Sequence, residues 1–318
     1  MVEGTLTRLL EGLREGRDLV DAEYSAFSDL SRNDLRTVKD HWDAIPVANR
    51  AMLFERGLEL ADVNLELHFE AFAKLGLDDS DPEVRERAVA VLWESDDRDV
   101  GQKLAQLTAS DPGPGVRAAA AAGLQHFVEA YVLERLPSEA GETIIRALRG
   151  ALDDPEIEVR AKAIESVGAI NEPWVSERVL EAFESDDQRL RLSAIRAMGN
   201  SGLERWEEYL ESEFTSGDEE MRFEAVIAAG NLGSPLLIEP LGELLSDEDP
   251  ELVLAVIEAL GEIGGDEAIE LLQAFAPEAP EGFEEAIENA LNAAIDEGMF
   301  RSFGDLGSQR NKEQDEDE

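Results

Sequence analysis

Glu177, Glu208, Glu239 and Glu270 place four carboxylates at a constant interval of 31 residues. Glu181 and Glu243 follow two of them by four residues, which on a helix is the same face one turn on. If each interval is one packed unit, with helices about 8–10 Å apart, these side chains form a ladder of like charge. Such a ladder repels itself, so a cationic partner would relieve strain while gaining contacts. The chemistry on offer is recognition of a basic protein segment. The plainer alternative is a solvated face that keeps an acidic protein in solution.

A second column is basic. Arg160, Arg191 and Arg222 share the interval, and Arg85 and Arg117, 32 residues apart, belong to the same series. A planar guanidinium forks onto phosphate or carboxylate alike. With 73 Asp and Glu against 28 Lys and Arg, these arginines are expected to find carboxylates of their own chain first.

Other reactive residues form no constellation. His41, His68 and His126 are followed by Trp, Phe and Phe and show no ligand spacing. Cysteine is absent, which removes thiolate metal sites, disulfides and cysteine nucleophiles. Neither a G-x-S-x-G elbow, a Walker A loop nor G-x-G-x-x-G occurs. Asp78, Asp79 and Asp81 begin like a calcium loop, but Pro82 follows and the required glycine and terminal glutamate are missing. No catalytic residue, cofactor or metal ligand is expected.

The 318 residues carry a formal charge of −45, which argues against nucleic acid or an anionic membrane as partner. Hydrophobic residues are 43% of the chain, enough for a sizeable core. The charge is uneven: residues 201–300 hold 27 acids and only two bases, Arg205 and Arg222. No apolar run approaches the roughly 18 residues of a membrane span, and the N-terminus lacks a secretory h-region. A cytoplasmic protein is expected; oligomeric state is not legible.

The elements that must position these columns repeat with them. Gly168, Gly199, Gly230 and Gly261 align, as do Ala163, Ala194, Ala225, Val256 and Ile287. Each unit reads as two helices. Asp-Pro pairs (Asp81, Asp111, Asp154 and Asp249) are expected to cap the first, aspartate accepting from free amides and proline filling a position that needs none. The glycine column is expected to end it in a left-handed conformation. Val175, Trp206 and Leu237, then Val179, Leu210, Leu241 and Leu272, mark the core stripe of the second helix. Trp93, at the end of an apolar stripe, is also expected in the core, and Trp174, one position before its column, partly exposed. No segment alternates like a strand, so the fold is expected to be all-α, a solenoid of stacked hairpins.

The run Asp154 to Gly168, D-P-x-x-x-V-R-x-x-A-x-x-S-V-G, resembles the HEAT repeats. The short unit is most similar to the phycobilisome-lyase-like HEAT class, over about residues 78–296. The resemblance implies an armadillo-like α-solenoid, with the column arginine as a strut to turn aspartates of a neighbouring repeat. Second helices of HEAT repeats usually line the concave side, the side most used for binding. A non-enzymatic protein-binding scaffold or regulatory adaptor follows. The alternative the class suggests is a chromophore-lyase-like enzyme or lyase subunit. The HEAT-repeat deoxyhypusine hydroxylases rest on repeated His-Glu pairs, and no such pair occurs here.

Residues 1–77 lack the columns and are expected to be a helical N-terminal cap, with helices over Asp34–Trp42, Val47–Leu60 and Leu65–Leu75. An insertion of about a dozen residues falls within 126–150. Residues 297–318 read as an acidic, disordered tail; Met299, Phe300, Phe303 and Leu306 are expected to fold back over the last repeat.

Overall fold

A computed structural model describes residues 3–296; the tail and its four apolar residues lie outside the described residues. Among the described residues every regular element is an α-helix or a short 3-10 turn, and there is no strand. The fold is the expected all-α stack of hairpins. It divides into two compact units, residues 1–167 and 168–318.

In the first unit, helices Arg32–Trp42 and Val47–Val63 form where expected. The third helix is shorter, Glu70–Gly76. Asn64 accounts for the difference, because its side-chain oxygen accepts the Glu66 amide at 3.1 Å and turns the chain out of helix. The insertion becomes the helix Gln125–Val132 and a loop before Ser138–Ala151.

The Asp-Pro pairs occupy two registers, a correction to the expected common cap. Asp81 and Asp249 are true caps, each accepting the amide two residues on at 2.9 Å. Asp187 and Asp218 hold the same place without proline. Asp111 and Asp154 sit two residues earlier, where their carboxylates take the Gly113 and Glu156 amides at 2.8 and 2.9 Å. Their second oxygens remain available.

In the second unit the first helices are Gln188–Gly199, Glu219–Leu232 and Pro250–Ile263. The second helices are Pro173–Phe183, Glu207–Glu213, Ile238–Glu243 and Gly265–Phe275. Residues 284–296 are helical as well. Val175, Trp206 and Leu237 are buried, as are Val179, Leu210, Leu241 and Leu272. Each such side chain contributes roughly 1.5–3 kcal/mol by leaving water.

The glycine column does more than end helices: Gly199 is the last residue of its helix and Gly168 follows one, while Gly230 and Gly261 lie two residues inside theirs. A side chain on Gly168 would meet the backbone of Ala197, on Gly199 that of Ala228, on Gly230 that of Ala259, and on Gly261 that of Ala290, all within 3.0 Å. None of the four has a positive φ; positive-φ glycines stand three residues beyond three of them, at Gly202, Gly233 and Gly264. The column therefore lets consecutive first helices touch backbone to backbone.

Candidate functional site

That contact decides the setting of the glutamates. First helices of the second unit pack tightly on one another, whereas Pro173–Phe183, Glu207–Glu213 and Ile238–Glu243 each pack mainly on the first helix that follows them in the chain. The glutamate column thus stands on the widely spaced side of this unit. The Gly–Ala contacts put the closest spacing in this unit on the first helices.

All six candidate residues are exposed. Glu177 and Glu181 lie on Pro173–Phe183, Glu208 on Glu207–Glu213, Glu239 and Glu243 on Ile238–Glu243, and Glu270 on Gly265–Phe275. Glu181 pairs with Arg178 at 3.1 Å. Among the described residues Glu177, Glu208, Glu239 and Glu270 have no ion-pair partner. Arg205, on the 3-10 turn Glu204–Trp206 that precedes Glu207–Glu213, donates to Ser176 Oγ and Asn171 Oδ1, both at 3.0 Å.

The arginine column resolves into two patterns. Arg85 forks onto both oxygens of Asp111 at 2.8 and 2.7 Å, and Arg117 onto both of Asp154 at 2.8 and 3.0 Å. A third NH group of each returns to a carbonyl six residues back, Asp79 and Asp111. The hydrogen bonds to Asp111 and Asp154 hold both guanidinium pKa values above the ordinary arginine range, against the pull of desolvation. Burial pushes the Asp154 carboxyl up, but the hydrogen bonds from Arg117 and the Glu156 amide outweigh it and leave it below the usual range.

The series begins earlier than the spacing suggested, because Arg50 NH1 lies 3.0 Å from Asp79. It changes from Arg160 onward. The position that holds Asp79, Asp111 and Asp154, six residues before each arginine, is Ser185 before Arg191 and Ser216 before Arg222. A serine caps the amide two residues on but offers no second oxygen. Arg160 is left with carbonyl acceptors on Asp154 and Pro155, and Arg222 with that of Ser216. The Nε groups of Arg191 and Arg222 are buried without a hydrogen-bond partner among the described residues. Among the described residues the strut expected of these arginines is present at Arg85 and Arg117 and absent at Arg160, Arg191 and Arg222; serine stands at the acceptor position for the first two of these three, whereas for Arg222 that position is Asp247.

Trp206 is buried and Trp174 half-buried, its indole donating to Glu172. Trp93 is 55% exposed, contrary to the core placement its spacing suggested. The helix before it stops at Ala90, so the stripe does not continue to Trp93.

The histidines stay apart. His126 Nε2 lies 2.8 Å from Asp96 Oδ1, His41 Nδ1 lies 2.8 Å from the Thr37 carbonyl, and His68 is exposed. No three His, Asp or Glu residues are grouped to hold a metal among the described residues. No described helix is long and apolar enough to cross a membrane.

A family model described as HEAT repeats matches residues 69–136, 145–212 and 207–292. No curated protein matches the sequence. Among solved structures, the chain is similar to YibA of Escherichia coli, at 17% identity and a TM-score of 0.46, covering 88% of this chain and 98% of that one. It is similar to the complex of CpcE and CpcF of phycocyanin lyase from Nostoc, at 15% identity and a TM-score of 0.47, covering 71% and 94%. It also resembles computationally designed armadillo repeat proteins for modular peptide recognition, at 20% identity and a TM-score of 0.36, covering 60% and 98%.

Proposed function

The chain belongs to the HEAT-repeat family, and from that premise we propose that it is a non-enzymatic protein-binding scaffold or regulatory adaptor. Its ligand is a basic segment of a protein partner, received along the second-helix face of residues 168–296. One observation carries this: Glu177, Glu208, Glu239 and Glu270 recur at the same place on successive hairpins, exposed and without ion-pair partners among the described residues. A carboxylate held without a counter-charge beside others of its kind gains from any cation that settles among them, and the gain falls as salt rises.

Capture of partners at low salt, repeated at high salt, tests the reading. A partner with a lysine- or arginine-rich segment, released by salt, supports it. Replacing Glu208 and Glu239 together by Gln should weaken that partner about tenfold, at roughly 0.2–1 kcal/mol for each exposed pair, and flatten its salt dependence. Unchanged affinity in the double variant would leave the glutamates as a solvating face only.

A further inference from the structure

Among the apolar side chains that residues 1–167 leave in solvent, two stand over one hollow. Leu65 is 86% and Trp93 55% exposed. Both line a cavity of about 470 Å³, whose wall also includes Leu58, Leu67, Phe69 and Val91. Phe69 is buried, so the cavity has a fixed aromatic floor, while Leu65 and Trp93 stand free at its edge. A lone exposed leucine is ordinary, but a tryptophan and a leucine over one apolar hollow make a patch of the kind that marks an interaction site.

The rim has a definite charge. Asp62 and Glu94 line the same cavity, are exposed, and have no ion-pair or hydrogen-bond partner among the described residues. The third carboxylate there, Glu70, is already held by Lys74 at 2.6 Å. The mouth therefore offers two uncompensated negative charges beside an apolar hollow.

We propose that this cavity anchors a protein partner through one aromatic or long aliphatic side chain flanked by lysine or arginine. The hollow has the size of sites, about 300–1,000 Å³, that enclose a compact organic group. Tryptophan is the residue most often found at energetically dominant contacts. Asp62 and Glu94 reject an acidic flank and accept a basic one, so the charge of the rim selects the partner that the apolar floor retains. The site shares no residue with the glutamate column, and neither depends on the other.

The probe is a synthetic peptide with Phe-Leu between two pairs of lysines, compared with the same peptide carrying Ser-Ser. Binding is read on the full chain by protection of tryptophan fluorescence from acrylamide, with Trp93→Phe identifying the signal. The Phe-Leu peptide should bind and shield Trp93, and the Ser-Ser peptide should not. Trp93→Ala or Leu65→Ala should weaken binding at least tenfold; both residues are exposed, and circular dichroism checks that each variant is folded. Asp62→Asn with Glu94→Gln should remove the salt dependence, while Glu208→Gln with Glu239→Gln should change nothing. Equal binding of the two peptides, or full affinity in both Trp93→Ala and Leu65→Ala, would overturn the proposal. So would light scattering that showed a Trp93-dependent dimer, since a second copy would then be the occupant.

Discussion

The indole N–H of Trp42 donates to Asp79 Oδ2 at 2.6 Å, across 37 residues of sequence. The same carboxylate meets Arg50 at 3.0 Å, and its other oxygen caps the Asp81 amide at 2.8 Å. Arg50 also lies over the Trp42 ring, 5.8 Å from its centroid. Asp79 has no exposed side-chain surface. One buried carboxylate thus ties the two helices before residue 64 to the turn that begins the next hairpin. Removing it strands the Arg50 charge away from water, a change that costs about 3–5 kcal/mol. Asp79→Ala should show that loss in urea unfolding followed by tryptophan fluorescence. Asp79→Asn, which keeps an acceptor for Trp42, should lose less. Equal losses would mean that the acceptor to Trp42 contributes nothing and that the charge on Asp79 carries the whole effect.

The Arg85–Asp111 rung is nearly as closed, with side chains 9% and 4% exposed. Asp111→Ser copies what residues 185 and 216 already carry and should cost about 3–5 kcal/mol, because the guanidinium stays buried without its fork. Asp154→Ser should cost less, since that pair is more open to solvent. Its pH signature is specific. The Asp154 pKa is lower in the folded chain than the ordinary value of 3.8. Its contribution is therefore complete above that value and is lost as pH falls through the lower folded one. The difference between parent and Asp154→Asn should be steady from pH 7 to about pH 4 and shrink below it. A difference that grew on acidification would contradict the assignment.

Gly199 and Gly150 are both helical and should respond in opposite directions. In an open helix, Gly→Ala gains about 1 kcal/mol. A Cβ on Gly150 meets nothing within 4 Å, so Gly150→Ala should realise most of that gain. A Cβ on Gly199 would lie 2.7 Å from Ala228 Cα, and backbone cannot give way as a side-chain tip can. Overpacking of that kind costs about 1–3 kcal/mol, so Gly199→Ala should be destabilised. Thermal unfolding of the two single variants decides it; stabilisation in both would mean the helices part easily.

The 31-residue interval carries the hairpins themselves, because Val175, Trp206 and Leu237 can repeat only if each unit presents the same stripe to the same core. Finer features share their letters with other features. Asp81-Pro82 and Asp111-Pro112 read alike, yet one caps a helix and the other receives an arginine, and only the neighbouring hairpin distinguishes them. Glycine serves a left-handed helix end and a close approach equally well, so Gly230 announced its column but not its purpose. Arg50 was invisible because it stands 35 residues before Arg85, off the interval. Trp93 follows an apolar stripe but lies past the end of its helix. The glutamate column was legible as a face; which side of the second unit that face occupies depends on the Gly–Ala contacts of the other helices.

Glu262 gives the charge of the second unit a measurable consequence. It lies on Pro250–Ile263 one turn after Glu258, and its carboxylate reaches toward Gly230 on the preceding first helix. Burial first, and the Glu258 charge second, push its pKa above the ordinary 4.5. A carboxyl whose folded pKa is raised binds its proton more readily in the folded chain, so its ionised form opposes folding at neutral pH. That opposition disappears as pH falls from above the folded value toward 4.5. Glu262→Gln removes the charge while keeping the shape. It should stabilise the protein at pH 7 by about 0.2–0.5 kcal/mol, the size of a like-charge pair one turn apart. At pH 4 the parent carboxyl is itself largely protonated and the two proteins should coincide. Urea midpoints at pH 7, 5.5 and 4 measure this directly. A gain that persisted undiminished at pH 4 would place the effect of Glu262 in its packing against Gly230 rather than in its charge.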